Sequence, residues 1–375
     1  MQTAIVKENL KDGLQVVERV CARSLSLPIL SNILLSAQKN FLRLSATDLE
    51  IGITYQFLAT TKEEGQVTIS PRLLTPFVGL LSEHQVNLYT QKQNLVIESG
   101  QYNASMKTLD AEDFPVIPSL QGAEQAIELE TQVFCRGLGQ VVGMTGQSQT
   151  RPEISGVFFA FGKDALKIAG TDSFRLAEKT LFFAAKNSVE CSFILPYKTA
   201  RELIAVLDER PGKTKVYVSP SQVVFDYAPE DQPSQLRIQI VSRLLEGEYP
   251  HYQDIIPSTY KTKAVFSRSE LANHLKAASI FSGKTNEVRF VFDPAKKEAR
   301  IFSQSIDAGE NTSLLRGDIK GEKVEVAFNW RFVSEGIAQM KGEEIEFQIS
   351  SQDGPTLLKP LDQEQYLYVV MPMKT

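Results

Sequence analysis

The residues that could do chemistry are few, and none is arranged to do it. Cys21, Cys135 and Cys191 stand far apart among apolar neighbours. An odd, dispersed set of thiols frames no disulfide pattern and forms no Cys-x-x-Cys metal site, so these read as buried, inert side chains. His84, His251 and His274 are equally scattered, without a His-Glu-x-x-His pair. Gly283-Lys284-Thr285 has the ending of a phosphate-binding loop, but that loop needs a glycine five residues before Gly283, where Ala278 stands. Gly212-Lys213-Thr214 fails in the same way at Leu207. No Gly-x-Ser-x-Gly elbow presents a nucleophilic serine, and Glu343-Glu344 reads as a solvated turn. No metal, no cofactor and no catalytic constellation is expected.

Positive charge, by contrast, recurs at a regular spacing. Lys7, Lys11, Gln15, Arg19 and Arg23 follow one another by four, which places them on one face of a helix. Leu10, Leu14, Val17 and Cys21 supply the apolar face. Arg72, Arg136, Arg151, Lys198, Arg201, Arg268, Lys276, Lys284, Arg331 and Lys341 fall in or beside other expected helices. A single Lys or Arg on a helix is ordinarily just solvated. Scattered together, they suit loose contact with a phosphate backbone, which is sequence-independent and weakened by salt. The formal net charge of −5 argues against a protein that grips DNA. Net charge does not say where charges sit, however, and a ring acidic outside and basic inside satisfies both observations.

The elements that must carry these residues come in copies. A chain of 375 residues is expected to hold two or three domains, and 42% hydrophobic with 23% charged residues is a globular composition. No apolar run approaches the roughly 18 residues of a membrane span. The first residues, with Lys7, Glu8, Lys11 and Asp12, lack the apolar block of a secretion signal, so a cytoplasmic protein is expected.

One order of elements recurs every 125–135 residues or so, that is, at roughly domain length. Each block opens with an amphipathic helix: the first around Leu10, the second around Val133, Leu138, Val141 and Val142, the third around Leu271, Leu275, Ala278 and Ile280 behind a capping Ser269. A strand pair follows, at 29–35 with 41–46, 154–161 with 166–169, and 288–292 with 299–303. The first two pairs end in Thr47-Asp48 and Thr171-Asp172, a dipeptide that on its own reads as a helix cap. Next, a strand runs into a second helix: 67–69 into 71–81, 193–195 into 197–207, 326–328 into 330–340. Hairpins close the blocks at 86–98, 216–227 and 345–359, ahead of Phe114-Pro115, Tyr249-Pro250 and Met371-Pro372. The expected architecture is α+β: three similar domains, at 1–122, 123–257 and 258–375, each with two helices packed on antiparallel sheets. Polar, proline-containing stretches at 118–124 and 257–263 are the expected joints.

Five segments then carry a family resemblance. LPILSNILL (27–35) followed by ATDLE (46–50), AEDFPVIP (111–118), GTDSFRLA (170–177) and YVVMPMK (368–374) resemble, in order and at family spacing, the bacterial DNA polymerase III beta subunits, the sliding clamps. The resemblance implies clamp-type domains in a head-to-tail homodimer, a six-domain ring whose helices line the hole. It implies a non-catalytic processivity factor that slides on duplex DNA, is opened by an ATP-driven clamp loader, and tethers replicative and repair polymerases through short linear motifs.

Carried over residue by residue, the family's peptide cleft comprises Ile154, Thr171, Ser173, Phe174, Arg175 and Leu176, with Pro250 and Ile255, Asn329 and Phe332, and Val369, Val370, Met371, Pro372, Met373 and Lys374. Alone, a Val-Val-Met run reads as core. Exposed methionines, however, make an adaptable surface for varied ligands. The chain departs from the family at Asp254, where many members are basic, and at Thr285, where some are aromatic. For DNA, the resemblance singles out Lys198 and Arg23, although Ser24 is the residue that aligns with the family's arginine. Arg151, Arg72, Lys11 and Arg201 join them from the charge pattern. The head-to-tail contact is expected at an edge strand over 101–107 and at Ile280 and Phe281. Two rival readings are a specialised clamp duplicate, for example one conferring inhibitor resistance, and a DNA-acting nuclease. Against the nuclease stands the lack of clustered metal-binding acids.

Overall fold

The computed structural model describes residues 1–21, 27–118, 125–148, 150–184, 187–362 and 365–374. The helices are α1 (Lys7–Val17), α2 (Pro71–Leu80), α3 (Thr131–Val142), α4 (Tyr197–Leu207), α5 (Arg268–Ser279) and α6 (Trp330–Gln339). They fall two to a block, as the sequence pattern requires, and α2, α4 and α6 follow their strands at the expected places. Pro71 at the first turn of α2 costs no hydrogen bond there.

Several expectations need correction. Each block opens with a strand rather than a helix: Gln2–Val6, Ile127–Glu130 and Thr262–Ser267. The expected joint at 257–263 therefore ends inside a strand, and most of the joint at 118–124 lies outside the described residues. Ile29 and Leu30 leave the expected strand for a 3-10 turn at Pro28–Ser31, and Ile154 does so at Pro152–Ser155. A proline with fixed φ opens both turns. Ser267, not Ser269, caps α5, accepting the Glu270 N–H at 3.5 Å. Val133 and Ile280 are 45% and 68% exposed. The buried face of α3 runs instead through Phe134, Leu138, Val141 and Val142, and Ile280 lies just past the end of α5.

The chain forms two compact units, Met1–Arg136 with Lys198–Leu244, and Gly137–Tyr197 with Leu245–Thr375. The first holds a five-stranded antiparallel sheet in the order Thr60–Glu63, Gln2–Val6, Gln85–Gln91, Asn94–Ser99, Tyr102–Lys107. It also holds an eight-stranded sheet in the order Ile127–Glu130, Lys213–Val218, Gln222–Tyr227, Leu236–Arg243, Ile51–Leu58, Phe41–Thr47, Ile33–Gln38, Gly65–Ile69. Within that sheet the second block joins the first through a backbone ladder from Leu236↔Phe57 to Ser242↔Ile51. Leu10 and Leu14 of α1 and Leu74 and Val78 of α2 are fully buried.

The second unit repeats the arrangement. A nine-stranded sheet runs Cys191–Pro196, Gly156–Phe161, Ala165–Thr171, Arg175–Phe182, Tyr366–Val370, Thr356–Pro360, Glu344–Ile349, Thr262–Ser267, Asp318–Gly321. A four-stranded sheet runs Gly309–Arg316, Glu298–Ser305, Glu287–Asp293, Val324–Asn329. The ladder between blocks here pairs Arg175↔Val370 through Lys179↔Tyr366. Phe266, Phe290, Phe292, Phe328 and Phe347 fill the core. The thiols behave as their surroundings dictate. Burial pushes those of Cys21 and Cys135 up to about 12, and raises that of Cys191 as well.

Candidate functional site

Thr171-Asp172 does not cap a helix. It builds the turn between two strands, and that turn aims the side chains of the candidate peptide site, all of which lies in the second unit. Thr171 Oγ1 accepts the Ser173 N–H at 3.1 Å and donates to the Arg175 carbonyl at 2.7 Å. Asp172 Oδ1 accepts the N–H groups of Phe174 and Arg175, each at 3.0 Å. Ser173 sits at φ 76°, a left-handed conformation that a short polar residue tolerates better than a bulky one. The first block has the same turn, with Leu49 at φ 78° and Asp48 Oδ1 accepting from Glu50 and Ile51.

The turn throws Phe174 outward, 61% exposed, with its ring 6.3 Å from that of Phe332 on α6 and 24° off parallel. Arg175, the next residue, packs on the Phe332 ring. Its guanidinium bonds Asp172 at 2.9 Å, pairs with Glu335 of α6, and sits 4.6 Å over the Phe332 ring. Burial works most strongly against its charge. The hydrogen bond to Glu335, with Tyr368 and Asp172, outweighs that and holds the guanidinium above its ordinary value. Asn329 caps α6, accepting the Arg331 N–H at 3.0 Å.

The C-terminal residues complete the patch. The Met371 N–H donates to the Phe174 carbonyl and the Met373 N–H to the Ala327 carbonyl, both at 2.8 Å. Met371, Pro372 and Met373 are thereby held half-buried beside Phe174, with Lys374 exposed after them. Pro250 is half-buried too, and Ile255 is 40% exposed.

Five of the expected cleft residues are not accessible. Ile154, Thr171, Leu176, Val369 and Val370 are buried. Leu176 and Val369 share a core cluster with Ala169, Ile194, Tyr249, Tyr252 and Leu357. Val370 is in a strand paired on both sides, with Arg175 and with Thr356, which is why the apolar terminus is less open than its position in the sequence suggests. Glu335 is the residue that sequence reasoning missed. The signal was there: it stands five residues after the start of α6, as Glu202 stands five after the start of α4.

The candidate nucleic-acid contacts divide between the units. Lys11, Arg72, Lys198 and Arg201 belong to the first unit, where Lys11 is half-buried and the other three are exposed. Lys198 forms an ion pair with Asp48, and Arg19 bonds Glu202 at 2.5 Å. Lys7 is drawn from the stripe to the Leu81 carbonyl at 3.3 Å. Arg151, in the second unit, is exposed and bonds Glu153 at 3.2 Å and Ser173 at 3.4 Å. Arg23 lies outside the described residues.

This fold is shared with known clamps. A solved structure of the DNA polymerase III beta subunit from Thermotoga maritima superposes with a TM-score of 0.90 at 26% identity, covering all of both chains. The DNA polymerase sliding clamp of Bacillus subtilis gives 0.93 at 24% identity over 100% of this chain and 99% of that one, a likeness of fold. Sequence models of the N-terminal, central and C-terminal domains of the DNA polymerase III beta subunit match residues 1–118, 128–251 and 253–374. The chain belongs to the DNA polymerase III beta subunit family. Among relatives, a protein named beta sliding clamp from Synechococcus elongatus is 28% identical over all of this chain and 99% of its own. One of the same name from Synechocystis is 26% identical over 98% of each.

Proposed function

We propose that the chain is a DNA polymerase processivity factor: a homodimeric ring that encircles duplex DNA, slides without reading sequence, and tethers polymerases and repair proteins. The reading rests above all on the family's three domains matching in order from one end of the chain to the other. It is not an enzyme; it works by topology and binding. A clamp loader supplies the ATP-driven opening, and the cytoplasm is where such a ring would meet DNA.

The ring is built from domains at 1–122, 123–257 and 258–375. It closes where Tyr102–Lys107 of one subunit meets Gly309–Arg316 of the other, each an edge strand with free backbone groups. Tyr102 in the first edge and Leu314 in the second are exposed, as are Leu73 and Leu80 of α2 and Ile280 after α5. Two such contacts, each supplying both halves, close with twofold symmetry. Lys11, Arg72, Arg151, Lys198 and Arg201 face the phosphates, and Arg23 is assigned to the same role from the sequence alone. Phe174, Phe332 and Met371 to Met373 take one or two apolar anchors of a linear motif, worth roughly 1.5–3 kcal/mol each before ordering costs.

Retention on DNA tests the reading. Loaded protein should stay on nicked circles, leave linear fragments quickly, and be lost faster as salt rises. Equal retention on circles and linear fragments would sink encirclement. Removing residues 372–375 should abolish binding of a polymerase-derived peptide while light scattering still gives a dimer, slightly under twice the 41.8 kDa of the full chain. Undiminished peptide affinity would place the site elsewhere.

A further inference from the structure

We infer that Asp48 is a built-in competitor for DNA phosphate, holding Lys198 back so that the ring's grip on the backbone stays weak enough to slide. The inference rests on Lys198 facing DNA, as proposed above. Asp48 is fixed before any DNA arrives. Its Oδ1 accepts the Glu50 N–H at 3.0 Å and the Ile51 N–H at 2.8 Å, which leaves Oδ2 for the Lys198 ammonium. Its side chain is 10% exposed, whereas that of Lys198 is 50% exposed. The carboxylate is therefore the immobile partner and the lysine the mobile one.

A phosphate that recruits Lys198 must break one ion pair to make another, so the exchange gains little. A lysine without that partner would gain a full charge-assisted contact and release a counterion. The same device stands one helical turn along α4, where Glu202, 15% exposed, holds the 41% exposed Arg19. Among the described residues, Arg72 and Arg201 have no such ion-pair partner. The basic surface thus combines free cations with tethered ones, and the tethered ones set the grip.

The test is equilibrium binding of the full-length dimer to a short duplex by fluorescence anisotropy across a salt series. Asp48→Asn keeps the oxygen that accepts the two turn amides, and asparagine suits such a turn. The variant should bind severalfold tighter, with the slope of log affinity against log salt steeper by about 0.9, one extra phosphate contact. In a Lys198→Ala background the gain should largely vanish. A merely structural role for Asp48 would not produce that dependence on Lys198. Unchanged or weaker binding by Asp48→Asn, or a gain of the same size without Lys198, overturns the inference. If wild-type protein also fails to distinguish circles from linear DNA, the encirclement reading falls with it. Circle-specific retention with no Asp48 effect removes the counter-charge alone.

Discussion

Phe174 and Leu176 are two positions apart and differ completely in what they contribute. Phe174 is 61% exposed and Leu176 fully buried. Phe174→Ala should weaken a clamp-binding peptide by about 1–3 kcal/mol, as loss of an aromatic anchor does, and leave urea unfolding nearly unchanged. Leu176→Ala should cost about 2–5 kcal/mol of stability, the usual range for emptying a packed site. Any fall in peptide affinity there should track the unfolding curve. A stable Leu176→Ala protein with specifically lost peptide binding would show that the core assignment is wrong. The motif from Gly170 to Ala177 was legible as a site in the sequence, but which of its residues face solvent was not. A left-handed residue at Ser173 shifts the alternation of the strands on either side, and no residue type demanded that conformation.

Helix α6 and the C-terminal strand are fitted to each other without slack. A Cβ at Gly336 would lie 2.4 Å from Tyr368 Cε1, and the Tyr368 hydroxyl donates to the Phe332 carbonyl at 2.8 Å. Gly336→Ala should therefore destabilise by about 1–3 kcal/mol through overpacking, more than the roughly 1 kcal/mol gained in helix propensity. It should also weaken peptide binding by displacing Phe332. Calorimetry and peptide titration would measure the two effects.

The strand Glu344–Ile349 carries Glu346, whose side chain is 3% exposed and bonded to Lys263 at 2.7 Å and Lys359 at 3.7 Å. Burial raises the carboxyl, but Lys263, Gln348 and Lys359 outweigh it and hold the group below its ordinary 4.5. A depressed folded value means that the stabilisation is present above the unfolded value and lost as pH falls through the folded one. Glu346→Gln should thus melt lower at pH 7, and the gap from wild type should close as pH falls below 4.5 and through the depressed folded value. A gap that is constant with pH would rule out the charge as its source. Among elements, the second helix of each block was readable because an apolar strand triplet runs straight into helical spacing. The alternation of Ile51, Ile53, Tyr55 and Phe57 belongs to a strand, Ile51–Leu58, that the expected strand pairs left out. Gly309–Arg316 had no such pattern, since an edge strand buries little.

At the scale of the molecule, three copies of one unit were visible in the sequence because each copy must bury its own core. How the copies join was not visible. The joints are main-chain ladders, Leu236 to Ser242 against Ile51 to Phe57 and Arg175 to Lys179 against Tyr366 to Val370. Backbone pairing leaves no residue-type signature. Residues 123–257 expressed alone should therefore expose two long unpaired strands and aggregate, whereas the full-length protein should not. Size-exclusion of the excised block as a stable monomer would contradict this.

Those ladders also bear on how such a gene can be recombined. Backbone pairing is indifferent to side chains, so a central block taken from a relative about a quarter identical can keep the hydrogen bonds of both its ladders. It cannot keep the side-chain fits that flank them, such as Lys198 on Asp48 or Arg175 on Glu335. Chimaeras exchanged at the block boundaries should fold and assemble, yet grip DNA and partner peptides abnormally.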